Sequence, residues 1–139
     1  LGELLYLRIQ PLLDRMMDGD GGVSNRIWAL LHGVRLELDP YVHLFQRMAL
    51  YILTNPLPEP PTEGHLSLAG ALAHLVRVGQ EEGAFRRDCD AEAAGSLIAT
   101  YFFRLSVLEC LGTTHESFCW EDRMRAALDI VYGGLAAHR

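Results

Sequence analysis

The 139-residue chain contains no lysine; all twelve of its basic residues are arginine. This reads as compositional bias and carries no chemistry. Positive charge is in deficit as well, with 18 Asp and Glu giving a formal net charge of −6. That balance argues against a surface that grips DNA or RNA, which needs clustered cations to replace condensed counterions. Long apolar runs are missing. The most apolar segment, Ala93 to Phe103, is closed by Glu92 and Arg104, far short of the ~20 residues that span a bilayer. Cysteine is sparse: Cys89, Cys110 and Cys119 form no CxxC pair and leave one unmatched, so a reducing, cytoplasmic setting is expected. No HxxxH or ExxH spacing and no histidine–cysteine cluster suggests a metal. No nucleophile–base pair, glycine-rich phosphate loop or paired acids suggests catalysis. Neither metal nor cofactor is expected.

What is present is helical periodicity in a chain that is 50% hydrophobic and 22% charged, which suits one domain over 1–139 with a proper core. The first helix is expected from Gly2 to Met17, kinked at Pro11. Leu1 begins inside that pattern without a cap and is not methionine, so the chain is expected to be part of a longer one. No leader peptide is read at its start. After the DGDGG run, Ser24 is expected to cap a second helix carrying Ile27, Leu31, Val34 and Leu38. Asp39-Pro40 reads as a restart, an N-cap followed by proline at the first helical position. The third helix carries Tyr41, Leu44, Phe45, Met48 and Ile52, and the proline-rich connector Asn55 to Thr62 follows. Further helices are expected at about Glu63 to Glu82, Ala91 to Leu111 and Trp120 to Ala137. The fifth is apolar nearly all round and must be covered on both sides.

The most specific stretch is Gly79 to Ile98, GQEEGAFRRDCDAEAAGSLI. Gly83 stands where a helix needs positive φ to stop. Phe85 is a lone apolar residue able to tuck under the loop. Asp90 is placed to cap the next helix, with Glu92 in its first turn. This punctuation resembles the connection into the dimerisation helices of TetR-family transcriptional regulators, where a "GQ..G.FR.D.D...AA" pattern recurs. AALDIVYGGL, Ala126 to Leu135, resembles the "ALd.ll.GL" ending of that family's last helix. The resemblance implies an all-α, six-helix ligand-binding and dimerisation domain from a bacterial cytoplasmic repressor. Its last two helices would form a four-helix bundle with a second copy. DNA would be contacted only through an N-terminal helix-turn-helix bundle that has no counterpart here. Ala94, Leu97, Leu108, Leu128, Val131 and Leu135 are the expected dimer contacts. Ala94, Gly95, Gly133, Gly134 and Ala137 are small enough for close helix approach.

Trp28, Tyr41, Phe45, Met48, Leu72, Tyr101 and Phe102 are the expected lining of an apolar pocket for a small hydrophobic or aromatic effector. Taken singly, each is read first as ordinary core filling; as a set, within the family it resembles, some are expected to border a cavity. His32, one turn after Trp28, and His74 offer a hydrogen bond inside such a pocket or sit on the surface. Arg104, in the middle of YFFRLSVL, is expected to face inward and to need a partner. That partner is a ligand carboxylate or, the favoured reading, an internal acid such as Asp129. Cys119 is read as an ordinary thiol. Two other classes remain open, a helical-bundle enzyme acting on an apolar substrate and a ligand-free dimerisation module.

Overall fold

Apolar residues at helical spacing organise this protein. The computed structural model describes residues 10, 11, 14, 15, 21–41, 43, 44, 47, 54, 67–110 and 119–137, those at 41 and 107–110 in backbone only. Among the described residues the chain is all-helical. Four helices carry the architecture: α1 (Val23–Leu38), α2 (Leu68–Glu81), α3 (Ala91–Cys110) and α4 (Trp120–Leu135). A 3₁₀ turn, Asp39–Tyr41, follows α1 directly. Residues 10, 11, 14, 15, 43, 44, 47 and 54 are helical too, and they fall within the stretches where the first and third helices are expected. The remainder of those two helices and the connector Asn55 to Thr62 lie outside the described residues.

α1 buries Val23, Ile27, Leu30, Leu31, Val34 and Leu38, a stripe at i, i+4, i+7 and i+8 that faces the core. Burial of Val23 draws the helix start forward. The N-cap is therefore Gly22, in extended conformation, and Ser24 lies within the first turn. At the other end the expected restart is not made. Asp39 keeps helical dihedrals (φ −51°, ψ −46°) and its N–H reaches the Arg35 carbonyl, so the helical turn runs on through the residue before proline. The pre-proline bias toward extended backbone is a preference that a good helical hydrogen bond overrides.

α2 begins later than periodicity suggested. The Ser67 hydroxyl accepts from the Gly70 N–H at 3.0 Å, which places the N-cap four residues after Glu63. α3 packs mainly on α2 and then on α4, while α1 packs on α2. The α2–α3 crossing is close because Gly95 faces backbone: a Cβ there would lie 2.6 Å from the Ala73 nitrogen and 2.7 Å from the Ala69 oxygen. Gly95 and the buried Ala94 thus serve a contact inside one chain.

The loop between α2 and α3 forms as its residues demand. Gly83 has φ +82°, and the Ala84 and Phe85 N–H groups return to the Gly79 carbonyl at 2.9 and 3.0 Å. Asp90 Oδ1 accepts from the Glu92 and Ala93 N–H groups at 3.0 and 3.2 Å, capping α3. Phe85 is buried against Gly79, where any Cβ would strike its ring, and stacks on Tyr132 of α4 at 5.9 Å. The same loop ends α4. Arg86 N–H donates to the Leu135 carbonyl at 2.7 Å, Ala137 N–H to the Ala84 carbonyl at 3.3 Å, and Phe85 and Ala136 form an isolated antiparallel bridge. The helix expected to run to Ala137 stops at Leu135 because this pairing takes its place.

Candidate functional site

Three helices bring aromatic side chains together at the first turn of α4. Trp28 of α1 and Trp120 of α4 meet with ring centroids 5.8 Å apart. Phe102 of α3, fully buried, presents its edge to Trp120 at 5.9 Å and 87°. His32, one turn along from Trp28, lies 6.1 Å from that indole. These are ordinary aromatic spacings, each worth ~0.5–1.5 kcal/mol beyond area burial. Two guanidinium groups cover the indoles: the Arg125 Cζ lies 4.0 Å from the Trp28 ring centroid, and the Arg35 Cζ lies 4.8 Å from that of Trp120. The quadrupole of an indole face attracts a cation held in this position. His32 Nε2 stands 3.8 Å from Glu121 Oε1; both side chains are well exposed, which makes this a weak pair.

One group in this cluster is unsatisfied. Trp120 is only 4% exposed, and its indole Nε1 has no hydrogen-bond partner. A buried donor in that state costs ~1–3 kcal/mol relative to a paired one, and native structures rarely keep such a donor without a reason. The site therefore combines a π-faced wall, two cations and a donor lacking an acceptor. No family model, curated protein or solved structure matches this chain.

Of the expected pocket lining, Trp28, His32 and Phe102 come together here. Leu72 is fully buried in the core, and Tyr101 is half-buried against it. Tyr41 is described only in its backbone, and Phe45 and Met48 lie outside the described residues. His74 is exposed on α2, so of its two alternatives the surface one holds and it is not pocket lining; the inward-facing expectation for Arg104 is corrected, since it is exposed on α3. The apolar letters around Arg104 alternate between covered and open sides of the helix: Phe102 and Leu105 turn in while Phe103 and Arg104 turn out. No burial forces a partner on that guanidinium.

The expected dimer residues divide in the same way. Ala94, Leu128 and Leu135 are buried in the chain's own core, and Val131 packs partly buried against it. The side chain of Leu108 lies outside the described residues. Leu97 alone among the described members is an open apolar side chain, 64% exposed. Ile130 of α4, not anticipated, is 78% exposed. Trp120 was missed as well: read only as a helix start, it lies 92 positions from Trp28, and no local pattern announces that pairing.

Elsewhere, an open groove of about 350 Å³ is lined by Gln80, Gly83, Phe85, Arg86, Arg87, Asp88 and Ala137. Its principal polar groups are engaged in holding the loop. Gln80 Nε2 donates to the carbonyls of Arg86 and Cys89 at 3.1 and 2.9 Å, and Arg86 forks onto Asp88 with both contacts at 2.7 Å. Among the described residues no group of three or more His, Cys, Asp or Glu is placed to hold a metal ion, and no helix is long and apolar enough to cross a membrane.

Proposed function

We propose that the chain is the effector-sensing and dimerisation domain of a TetR-like transcriptional regulator. It binds a small, largely apolar molecule and controls DNA binding by a separate N-terminal head. Effector binding shifts the population between two arrangements of paired subunits, a coupling worth typically ~1–3 kcal/mol.

The observation that carries this reading is the surface of the last two helices. α3 is covered by α2 and α4, yet Ala93, Ser96, Leu97, Thr100 and Arg104 remain open along one side of it. On α4, Ala126, Ile130, Gly133 and Gly134 are open, as is Ala137 just beyond its end, with Arg123 among them and Asp122 and Asp129 open at the flank. A helix face with a large aliphatic residue at its centre, small neighbours and charge only toward its ends and flank suits packing against another helix. The dimer contacts are therefore Leu97 and Ile130, with the small residues beside them, in place of the inward-facing Ala94, Leu128 and Leu135. The GQEEGAFRRD loop adds support, since its glycine stop, tucked phenylalanine and aspartate cap all serve to orient α3 and α4.

Light scattering on the chain tests this. The expected result is a dimer that Ile130→Glu converts to a folded monomer, because this side chain is open in the single subunit and its replacement harms no core. A monomeric wild-type chain, or an Ile130→Glu dimer of unchanged strength, would refute the arrangement.

A further inference from the structure

Two glycines near the end of α4 are not accounted for by space or by backbone conformation. An added Cβ at Gly133 or Gly134 would meet nothing within 4 Å among the described residues, and neither residue has positive φ. Both lie inside the helix, where glycine weakens the turn it occupies because its backbone is freer than that of any other residue. The helix stops one residue later. Ala136 is extended, with φ −56° and ψ 136°, and it pairs with Phe85 of the α2–α3 loop. We propose that residues 135–137 are a hinged strap, closed on the α2–α3 loop and able to swing away about Gly133 and Gly134 while the loop stays folded. The device needs neither an effector nor a second copy.

The two partners in this contact are built differently. The loop is held to α2 by its own bonds. Ala84 and Phe85 donate to the Gly79 carbonyl at 2.9 and 3.0 Å, and Gln80 Nε2 donates to the carbonyls of Arg86 and Cys89. Arg86 forks onto Asp88, and the Phe85 ring fills the space beside Gly79. None of these contacts involves α4. The strap, by contrast, depends on the loop. Arg86 N–H donates to the Leu135 carbonyl at 2.7 Å, and Ala137 N–H to the Ala84 carbonyl at 3.3 Å. The bond from Ala136 N–H to the Tyr132 carbonyl, 2.8 Å, closes the helix end.

Within the strap, Leu135 is buried at 5% exposure, whereas Ala136 and Ala137 are exposed. One aliphatic side chain is therefore the bolt, and the glycine pair lies immediately before it. Hinges are short runs that absorb a change in backbone angles, and small residues often supply them. A segment held by one buried side chain and a few backbone bonds opens at a cost well below that of global unfolding. Opening draws Leu135 out of the core and removes the Ala137 wall of the 350 Å³ groove. It also leaves the Arg86 N–H and the Ala84 carbonyl to water, while Phe85 N–H keeps its bond to Gly79.

Hydrogen exchange of individual amides tests the strap, each rate being expressed as protection relative to an unstructured chain. Arg86, Ala136 and Ala137 should share one protection, about tenfold or more below that of Leu75 in the middle of α2, with little dependence on urea because the opening exposes little surface. Phe85 should stay better protected than its neighbour Arg86. Replacing both glycines, Gly133→Ala with Gly134→Ala, stiffens the hinge without crowding it. That variant should raise the protection of Arg86 and Ala137 by roughly five- to thirtyfold and leave Phe85 unchanged. Both glycines also border the face proposed for a second copy, so the pair is replaced in the Ile130→Glu background too, where the rise should persist. Arg86 as protected as Leu75, Arg86 and Phe85 exchanging together, or unchanged Arg86 protection in the double variant would each overturn the strap. A rise that vanishes with Ile130→Glu would overturn it as well, assigning the glycines to contact between copies; a chain that is monomeric throughout and shows the rise keeps the strap and refutes the dimer.

Discussion

At the residue scale, the side chains that matter are those whose surroundings differ from what their neighbours in sequence suggest. Arg104 looks buried in YFFRLSVL and is not, because a helix interleaves its inward and outward faces every one or two residues. Trp120 is the helix start it looks like and is also the base of the aromatic cluster. Tyr132 shows how burial alters chemistry. Desolvation pushes its phenol above the ordinary 10.0, the Asp129 carboxylate adds to this, and the Ser24 hydroxyl opposes both without completing a hydrogen bond. The folded state thus holds this proton where the unfolded chain has lost it. Stability from the neutral phenol is fully present below pH 10 and falls as pH rises beyond it. Tyr132→Phe keeps the stack on Phe85 and removes the ionisation. Urea unfolding between pH 9 and 11, values about one unit either side of the tyrosine reference, should show a shallower alkaline loss in the variant than in the wild type.

At the scale of elements, local signals and packing contribute separately. The Ser67 and Asp90 caps and the Gly83 stop are each made by the residue type that the geometry favours, and their hydrogen bonds are local. The α2–α3 crossing is a matter of space. Gly95 meets the backbone of Ala69 and Ala73, atoms that cannot rotate away, so the helices must part to admit even one methyl. Gly95→Ala should therefore lower stability by ~1–3 kcal/mol, the usual cost of overpacking, despite alanine's better helix propensity of about 1 kcal/mol. A urea melt in which the variant gained stability would show that the crossing has slack. Gly133 and Gly134, with nothing within 4 Å of an added Cβ, should tolerate the same change in the single chain.

At the scale of the whole molecule, the charge of −6 sets the relation to nucleic acid. Residues 1–139 alone should select no sequence from a pool of random duplex DNA at low salt, since counterion release requires clustered cations; enrichment of one site would overturn the proposed assignment of DNA contact to a separate head. Much of the architecture was determined by local chemistry and is readable from the residues. The all-helical class follows from 3.6-residue periodicity, and the α2–α3 loop from Gly83, Phe85 and Asp90, whose conformational preferences act over a few neighbours. Tertiary structure decided the rest. It turned Ala94 of α3 inward and left Leu97 outside, because apolar residues lie nearly all round that helix and do not by themselves mark its covered side; on α4 it buried Leu128 and Leu135 and left Ile130 open, which the packing of neighbouring helices decides. It joined Trp28 to Trp120 across 92 positions, since packing of α1, α3 and α4 sets which rings meet, and packing depends on shapes far apart in the chain. It also left the Trp120 N–H without an acceptor, for hydrogen-bond satisfaction is a property of the assembled neighbourhood and of no single residue.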